Sequence, residues 1–126
     1  MKVLVVEDQD SIRHMIEALV AARGYQVVAV PTGAKALDVA STDPPHLVLL
    51  DLNLPGQYDG YEVCRRLRAQ PSTATVPIVI ISAQDDEASR AEAALAGATA
   101  FYSKPFSPLA LLREIESLKA RSVAPA

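Results

Sequence analysis

The chain has 126 residues, half of them hydrophobic, which suits one domain built on one core. Its formal net charge of -3 weighs against nucleic acid as a direct partner, because phosphate contacts need clustered Lys and Arg. The single cysteine, Cys64, excludes an internal disulfide and a cysteine-rich zinc site.

Hydrophobic periodicity alternates between strand and helix types along the chain. Residues 2–6 read as a short strand after an apolar start too brief for a signal peptide. Ile12, Met15, Ile16, Leu19 and Val20 recur at helical spacing and define one apolar face, with Gly24 as a left-handed cap. A second strand is predicted over 26–30, and a short alanine-rich helix over 33–41, stopped by Pro44-Pro45. A third strand follows over 46–50, opened by His46 in a loop or edge position. The third helix, 59–69, carries Arg65-Arg66-Leu67-Arg68 as a solvated face and Cys64 as a small helix-face residue. His14, on the first helix, reads as a surface residue.

The fourth strand is predicted over 77–81. Asp85-Asp86-Glu87 then opens a helix with acid at its positive dipole end, and Gly97 closes it. Residues 100–103 form the fifth strand. Ser107-Pro108 starts the last helix as N-cap and first-turn proline, with Leu109, Leu112, Ile115 and Leu118 as its apolar stripe. Five strands alternating with five helices indicate parallel βαβ units, hence a single doubly wound α/β domain. The unbroken apolar runs Leu47-Val48-Leu49-Leu50 and Ile78-Val79-Ile80-Ile81 mark strands covered on both faces. The domain is expected over 1–120, with 121–126 as a tail or linker stub. No run approaches the roughly 20 apolar residues that span a bilayer, so the chain is expected in the cytoplasm with no membrane partner.

Four apolar runs end at polar groups: Glu7-Asp8, Asp51, Ser82 and Lys104-Pro105. In a parallel sheet these meet at the carboxyl edge, where open α/β folds place their sites. Two like charges about 4 Å apart repel by roughly 4 kcal/mol at an effective dielectric near 20. Three carboxylates gathered there therefore imply raised pKa values or a bound cation, with Mg2+ (or Mn2+ in its place) suited to an all-oxygen set. Lys104 adds a positive charge for a phosphoryl oxygen, Ser82 a hydroxyl, and Asp51 the nucleophile of an aspartyl phosphate.

With these residues in this order, the chain resembles the receiver domains of two-component response regulators, the CheY-like family. The resemblance runs from Lys2 to about Lys119. It rests on Val5-Val6-Glu7-Asp8, Asp51-Leu52-Asn53-Leu54-Pro55-Gly56, Asp59-Gly60-Tyr61-Glu62-Val63, Ile81-Ser82-Ala83, and Gly97-Ala98 leading to Lys104-Pro105-Phe106. It implies a flavodoxin-like sheet in the order 2-1-3-4-5. It implies Asp51 as the acceptor of a phosphoryl group from a histidine kinase or histidine phosphotransfer protein. Asp8 and Asp51 would be direct metal ligands, Glu7 would act through water, and Asn53 would add its backbone carbonyl. Ser82 would be the switch hydroxyl, Phe101 the switch aromatic, Lys104 the phosphate-binding lysine, and the bond before Pro105 cis. Such a domain is a regulatory switch rather than an enzyme, catalysing only its own phosphorylation and slow dephosphorylation. It acts through its α4-β5-α5 surface on an output partner or fused output domain, as a monomer or a phosphorylation-dependent homodimer.

Two departures from the family pattern stand out. Gln57-Tyr58 occupies a stretch where the family usually has one residue, which is expected to bring Tyr58 partly over the site. The switch position carries phenylalanine rather than tyrosine, and Tyr102 should point to the opposite side of the strand. The rival readings are a degenerate receiver used only for protein contacts, a magnesium-dependent aspartyl-phosphate phosphatase, and a flavodoxin-like electron carrier. The phosphatase wants an acid where Asn53 stands, and the electron carrier wants a phosphate loop that does not follow the first strand. The Tyr61-to-Arg68 segment resembles receivers fused to diguanylate cyclase or other output domains.

Overall fold

The alternation of strand and helix patterns is realised as a five-stranded parallel sheet. A computed structural model describes residues 1–122, with side chains through Lys119. In chain order the elements are β1(Lys2–Val6), α1(Asp10–Ala21), β2(Gln26–Val30), α2(Gly33–Thr42), β3(Leu47–Leu50), α3(Gly60–Ala69), β4(Ile78–Ser82), α4(Glu87–Ala96), β5(Ala100–Ser103) and α5(Pro108–Ser122). The sheet order is β2-β1-β3-β4-β5 and every neighbouring pair is parallel. This is the doubly wound arrangement of flavodoxin-like folds.

Strand side chains alternate between two cores. Leu4, Val6, Val48, Leu50, Ile78 and Ile80 face Ala36, Ala40, Val63, Cys64, Leu67, Ala93 and Ala96 of α2, α3 and α4. Val3, Val5, Leu47, Leu49, Val79 and Ile81 face Ile16 and Val20 of α1 and Leu111, Ile115 and Leu118 of α5. Each fully buried Leu, Ile or Val contributes about 1.5–3 kcal/mol relative to exposure, so the central strands β1, β3 and β4 anchor the domain. Cys64 is fully buried, and its thiol donates to the Ala96 carbonyl at 3.3 Å. Burial also pushes that thiol's pKa up, so Cys64 serves as packing between α3 and α4.

Local signals explain the helix ends. Thr32, Asp59 and Asp86 cap α2, α3 and α4 by accepting from the backbone N–H three residues on. Gly97 stops α4 at φ 106°, a conformation that glycine adopts without strain.

Several expectations need correction. Leu109 is 51% exposed, whereas Leu111 is fully buried, so the inward stripe of α5 is Leu111, Leu112, Ile115 and Leu118. At about 100° per residue the two leucines sit about 200° apart, and only one can face the sheet. Met15 is likewise 44% exposed, because the buried stripe of α1 is narrower than its apolar set. Strand β4 extends through Ser82, which pairs with Ser103, so this hydroxyl residue belongs to the sheet rather than following it. Helix α5 runs to Ser122, two residues into the stretch expected as a tail; residues 123–126 lie outside the described residues.

The arginine run also divides. Arg65 and Arg66 do pair with Glu62 on the surface. Arg68 instead turns inward at the amino edge of the sheet. It donates to the carbonyls of Val76 at 2.6 Å, Gly97 at 2.9 Å, and Thr73 and Ala74 at 3.3 Å each. A Cβ on Gly97 would lie 2.7 Å from the Arg68 side chain, so that glycine also makes room for the arginine.

Candidate functional site

The carboxyl edge of the sheet is built by one repeated device. The backbone ladder continues a single residue past each strand: Glu7 N–H donates to Val30 O, Asp51 N–H to Val6 O, and Lys104 N–H to Ser82 O, at 3.1, 3.0 and 2.9 Å. Val6 and Leu50 are in register, so Glu7 and Asp51 leave adjacent strands side by side. Glu7, Asp51 and Ser82 are buried, at 2%, 5% and 0% exposure. Carboxylate oxygens of Glu7, Asp8 and Asp51 lie within 4.8 Å of one another, a cluster that could hold a metal ion.

Lys104 reaches into this cluster. Its Nζ lies 2.6 Å from Glu7 Oε1 and 3.2 Å from Asp51 Oδ2. The remaining oxygens accept from backbone N–H groups, Gln9 to Glu7 Oε2 at 3.1 Å and Asn53 to Asp51 Oδ1 at 3.3 Å. Burial works against the lysine's charge, but the Glu7 hydrogen bond and the Asp51 and Glu7 charges outweigh it and raise the pKa. Asp8 is held above the ordinary carboxylate value by burial and then by the hydrogen bond and charge of Glu7. Three acids against one lysine leave a surplus of two negative charges, which suits a divalent cation.

Helix α3 braces the loop after Asp51 from the far side. Gly60 N–H donates to Leu52 O at 2.8 Å, and a Cβ on Gly60 would stand 2.3 Å from Asp51 O. Only glycine lets the helix start this close to Asp51. Buried Leu52 and Leu54 anchor the rest of the loop.

The structure thus brings Glu7, Asp8, Asp51 and Lys104 together and places Asn53 beside them. Ser82 stands one strand over, its Oγ accepting from Gln84 N–H at 3.0 Å. Phe101 is half-buried against the α2–α4 core, and Tyr102 packs on the opposite core with its hydroxyl donating to Glu114 at 3.2 Å. The Lys104-Pro105 peptide bond is cis. Tyr58 does not cover the carboxylates: it packs towards Gly33 between α2 and α3, under the Arg66 guanidinium at 4.4 Å from its ring centre. The extra loop residue is absorbed on that flank.

Three residues near the site were not singled out in the sequence. Gln84 links Ser82 to α4 through Ser89, which in turn donates to Asp86. Arg90 lies 4.5 Å over the Phe101 ring and donates to Ser103 at 2.9 Å. Arg13 donates to the carbonyls of the acidic loop, and its i, i+3 charge relation to Asp10 was the visible signal.

The fold and site define a doubly wound α/β protein whose carboxyl edge carries an acidic cluster that could hold a metal ion, with a lysine beside it. The comparisons narrow that class. The sequence model of the response regulator receiver domain matches residues 3–116, and the chain belongs to that family. Response regulator PleD of Caulobacter vibrioides is 36% identical over 93% of this chain and 26% of its own length. Probable transcriptional regulator ycf27 of Cyanophora paradoxa is 39% identical over 98% of this chain and 50% of its own. The chain therefore spans a quarter to a half of these relatives. Among solved structures, chemotaxis protein CheY4 of Vibrio cholerae superposes with a TM-score of 0.87 at 30% identity, covering 93% of this chain and 97% of that one. The receiver domain of sensor histidine kinase PA1611 from Pseudomonas aeruginosa, with magnesium coordinated in its active-site cleft, gives 0.85 at 32% identity, covering 93% and 95%. No described helix is long and apolar enough to cross a membrane.

Proposed function

We propose that this chain is a phosphorylation-activated switch in which Asp51 accepts a phosphoryl group from the phosphohistidine of a kinase or phosphotransfer protein. The observation that carries this reading is the buried Asp51 carboxylate, fixed at the sheet edge beside Lys104 and two further acids. A carboxylate oxygen of Asp51 attacks phosphorus, the P–N bond breaks, and the histidine nitrogen leaves with the electron pair. Mg2+ held by Asp8, Asp51, Glu7 through water and the Asn53 carbonyl would neutralise charge on the phosphoryl oxygens. Lys104, already poised between Glu7 and Asp51, takes one of those oxygens.

Ser82 then turns towards the new group and gives up its bond from Gln84 N–H. The network from Gln84 through Ser89 to Asp86 carries that change to the start of α4, and Phe101 moves into the space released. The phosphoryl group biases two states by its differential contacts, and a partner reads the α4-β5-α5 surface. In this reading residues 1–120 are the switch domain, acting in the cytoplasm on an output partner or fused output domain, with no catalysis beyond its own phosphorylation and dephosphorylation.

Incubation with radiolabelled acetyl phosphate and Mg2+ tests this directly. Wild type should incorporate label, and Asp51→Asn should not; undiminished label in the variant would sink the assignment.

A further inference from the structure

We propose that Arg13 is a positioning residue for the acidic site, clamping the β1–α1 turn so that Glu7 and Asp8 face Asp51. The ladder of β1 ends at Glu7, and α1 begins at Asp10. Between them Gln9 stands at the N-cap position without a side-chain cap. What holds this turn is the Arg13 guanidinium. Its Nη1 donates to Glu7 O at 3.0 Å and to Asp8 O at 3.4 Å, while Nη2 pairs with Asp10. The side chain is only 13% exposed, and its bond to the Glu7 carbonyl is part-buried, while those to Asp8 O and Asp10 lie at the surface. Gln9 N–H closes the turn by donating to Glu7 Oε2. The carbonyls of two adjacent acids are thus tied to one guanidinium, which fixes the backbone from which their carboxylates project towards Asp51.

Charge alone predicts the opposite effect from geometry, and that makes the inference testable. A guanidinium near three carboxylates repels an incoming cation, so removing a purely electrostatic Arg13 would tighten Mg2+ binding. Removing a positioning Arg13 would loosen it, as loss of groups that orient metal ligands does in general.

The inference rests on the proposed metal site, and the experiment separates the two. Mg2+ is titrated into the full chain while amide NMR shifts of residues 7–10 are followed, in wild type, Arg13→Met, Arg13→Lys and Asp51→Asn. Arg13→Met should weaken Mg2+ by about tenfold, and Arg13→Lys, which keeps the charge but not the fork, should weaken it to a similar degree. Unchanged or tighter Mg2+ binding in both arginine variants, with wild type binding normally, overturns the positioning role. A wild type that binds no Mg2+, or an Asp51→Asn chain that binds as well as wild type, overturns the metal reading beneath it.

Discussion

The two edges of the sheet treat polar groups in opposite ways. At the amino edge they are matched. Arg68 spreads its donors over the carbonyls of Thr73, Ala74, Val76 and Gly97, and Thr99 Oγ1 accepts from Ile78 N–H. His46 Nδ1 accepts from Lys2 N–H, and His46 N–H donates to Lys2 O. Gln70 Oε1 is the exception, a buried atom without a partner among the described residues. At the carboxyl edge three acids gather beside one lysine, which pairs with the two buried ones, Glu7 and Asp51. Matched groups hold the fold; the unmatched surplus could hold a cation and, in the proposed function, serves a phosphoryl group. The same chain thus builds stability at one end of its strands and tolerates strain between charges at the other.

The largest expected effect comes from breaking the matched edge. Arg68→Met strands carbonyls in the turn before β4 and at the end of α4 and should lower unfolding free energy by about 3 kcal/mol. Denaturant titration measures this, and Mg2+ affinity of the folded protein should not move. Next is Lys104→Met, which leaves Glu7 and Asp51 buried without their shared cation. It should cost about 2 kcal/mol without metal, much of it regained with saturating Mg2+. Equal losses with and without Mg2+ would erase the contrast between the edges.

Asp51→Asn should act in the other direction, stabilising the metal-free chain by about 1 kcal/mol through relief of repulsion. The pH dependence sharpens the same point. Because the folded Asp8 holds its proton above the ordinary 3.8, stability should fall as pH rises from that value through the raised one. Mg2+ competes with that proton, so its affinity should climb over the same window and level off above it. Lys104 has the same sign in a far higher window: its raised pKa gives stability that is full below 10.5 and is lost as pH rises through the folded value. The smallest effect is expected at Arg90, where Arg90→Gln removes the contact over Phe101 and should cost about 0.5 kcal/mol with phosphorylation intact.

Much of this was legible in the sequence because periodicity and chain order carry it. Strand ends fix the site when the strands are parallel, so Glu7, Asp8, Asp51 and Lys104 could be placed together without coordinates. Side-chain direction within a helix was less legible where apolar residues cover more than one stripe, as with Met15 on α1 and Leu109 on α5. Arg68 looked like its neighbours because the groups that draw it inward, Gly97 and the turn before β4, lie elsewhere in the chain. Tyr58 was misplaced for a similar reason. The close approach of Gly33 and the guanidinium of Arg66 give the ring a berth between α2 and α3 that loop length alone does not reveal.

The central claim is that the surplus of acid at the carboxyl edge serves phosphoryl transfer to one residue. Acetyl phosphate treatment with Mg2+, followed by hydroxylamine trapping and peptide mass spectrometry, addresses it most directly. The account predicts a single hydroxamate, on the peptide and at the position of Asp51, that disappears when Mg2+ is chelated. Modification at Glu7 or Asp8 instead, or an Asp51 adduct equally abundant without Mg2+, would contradict it.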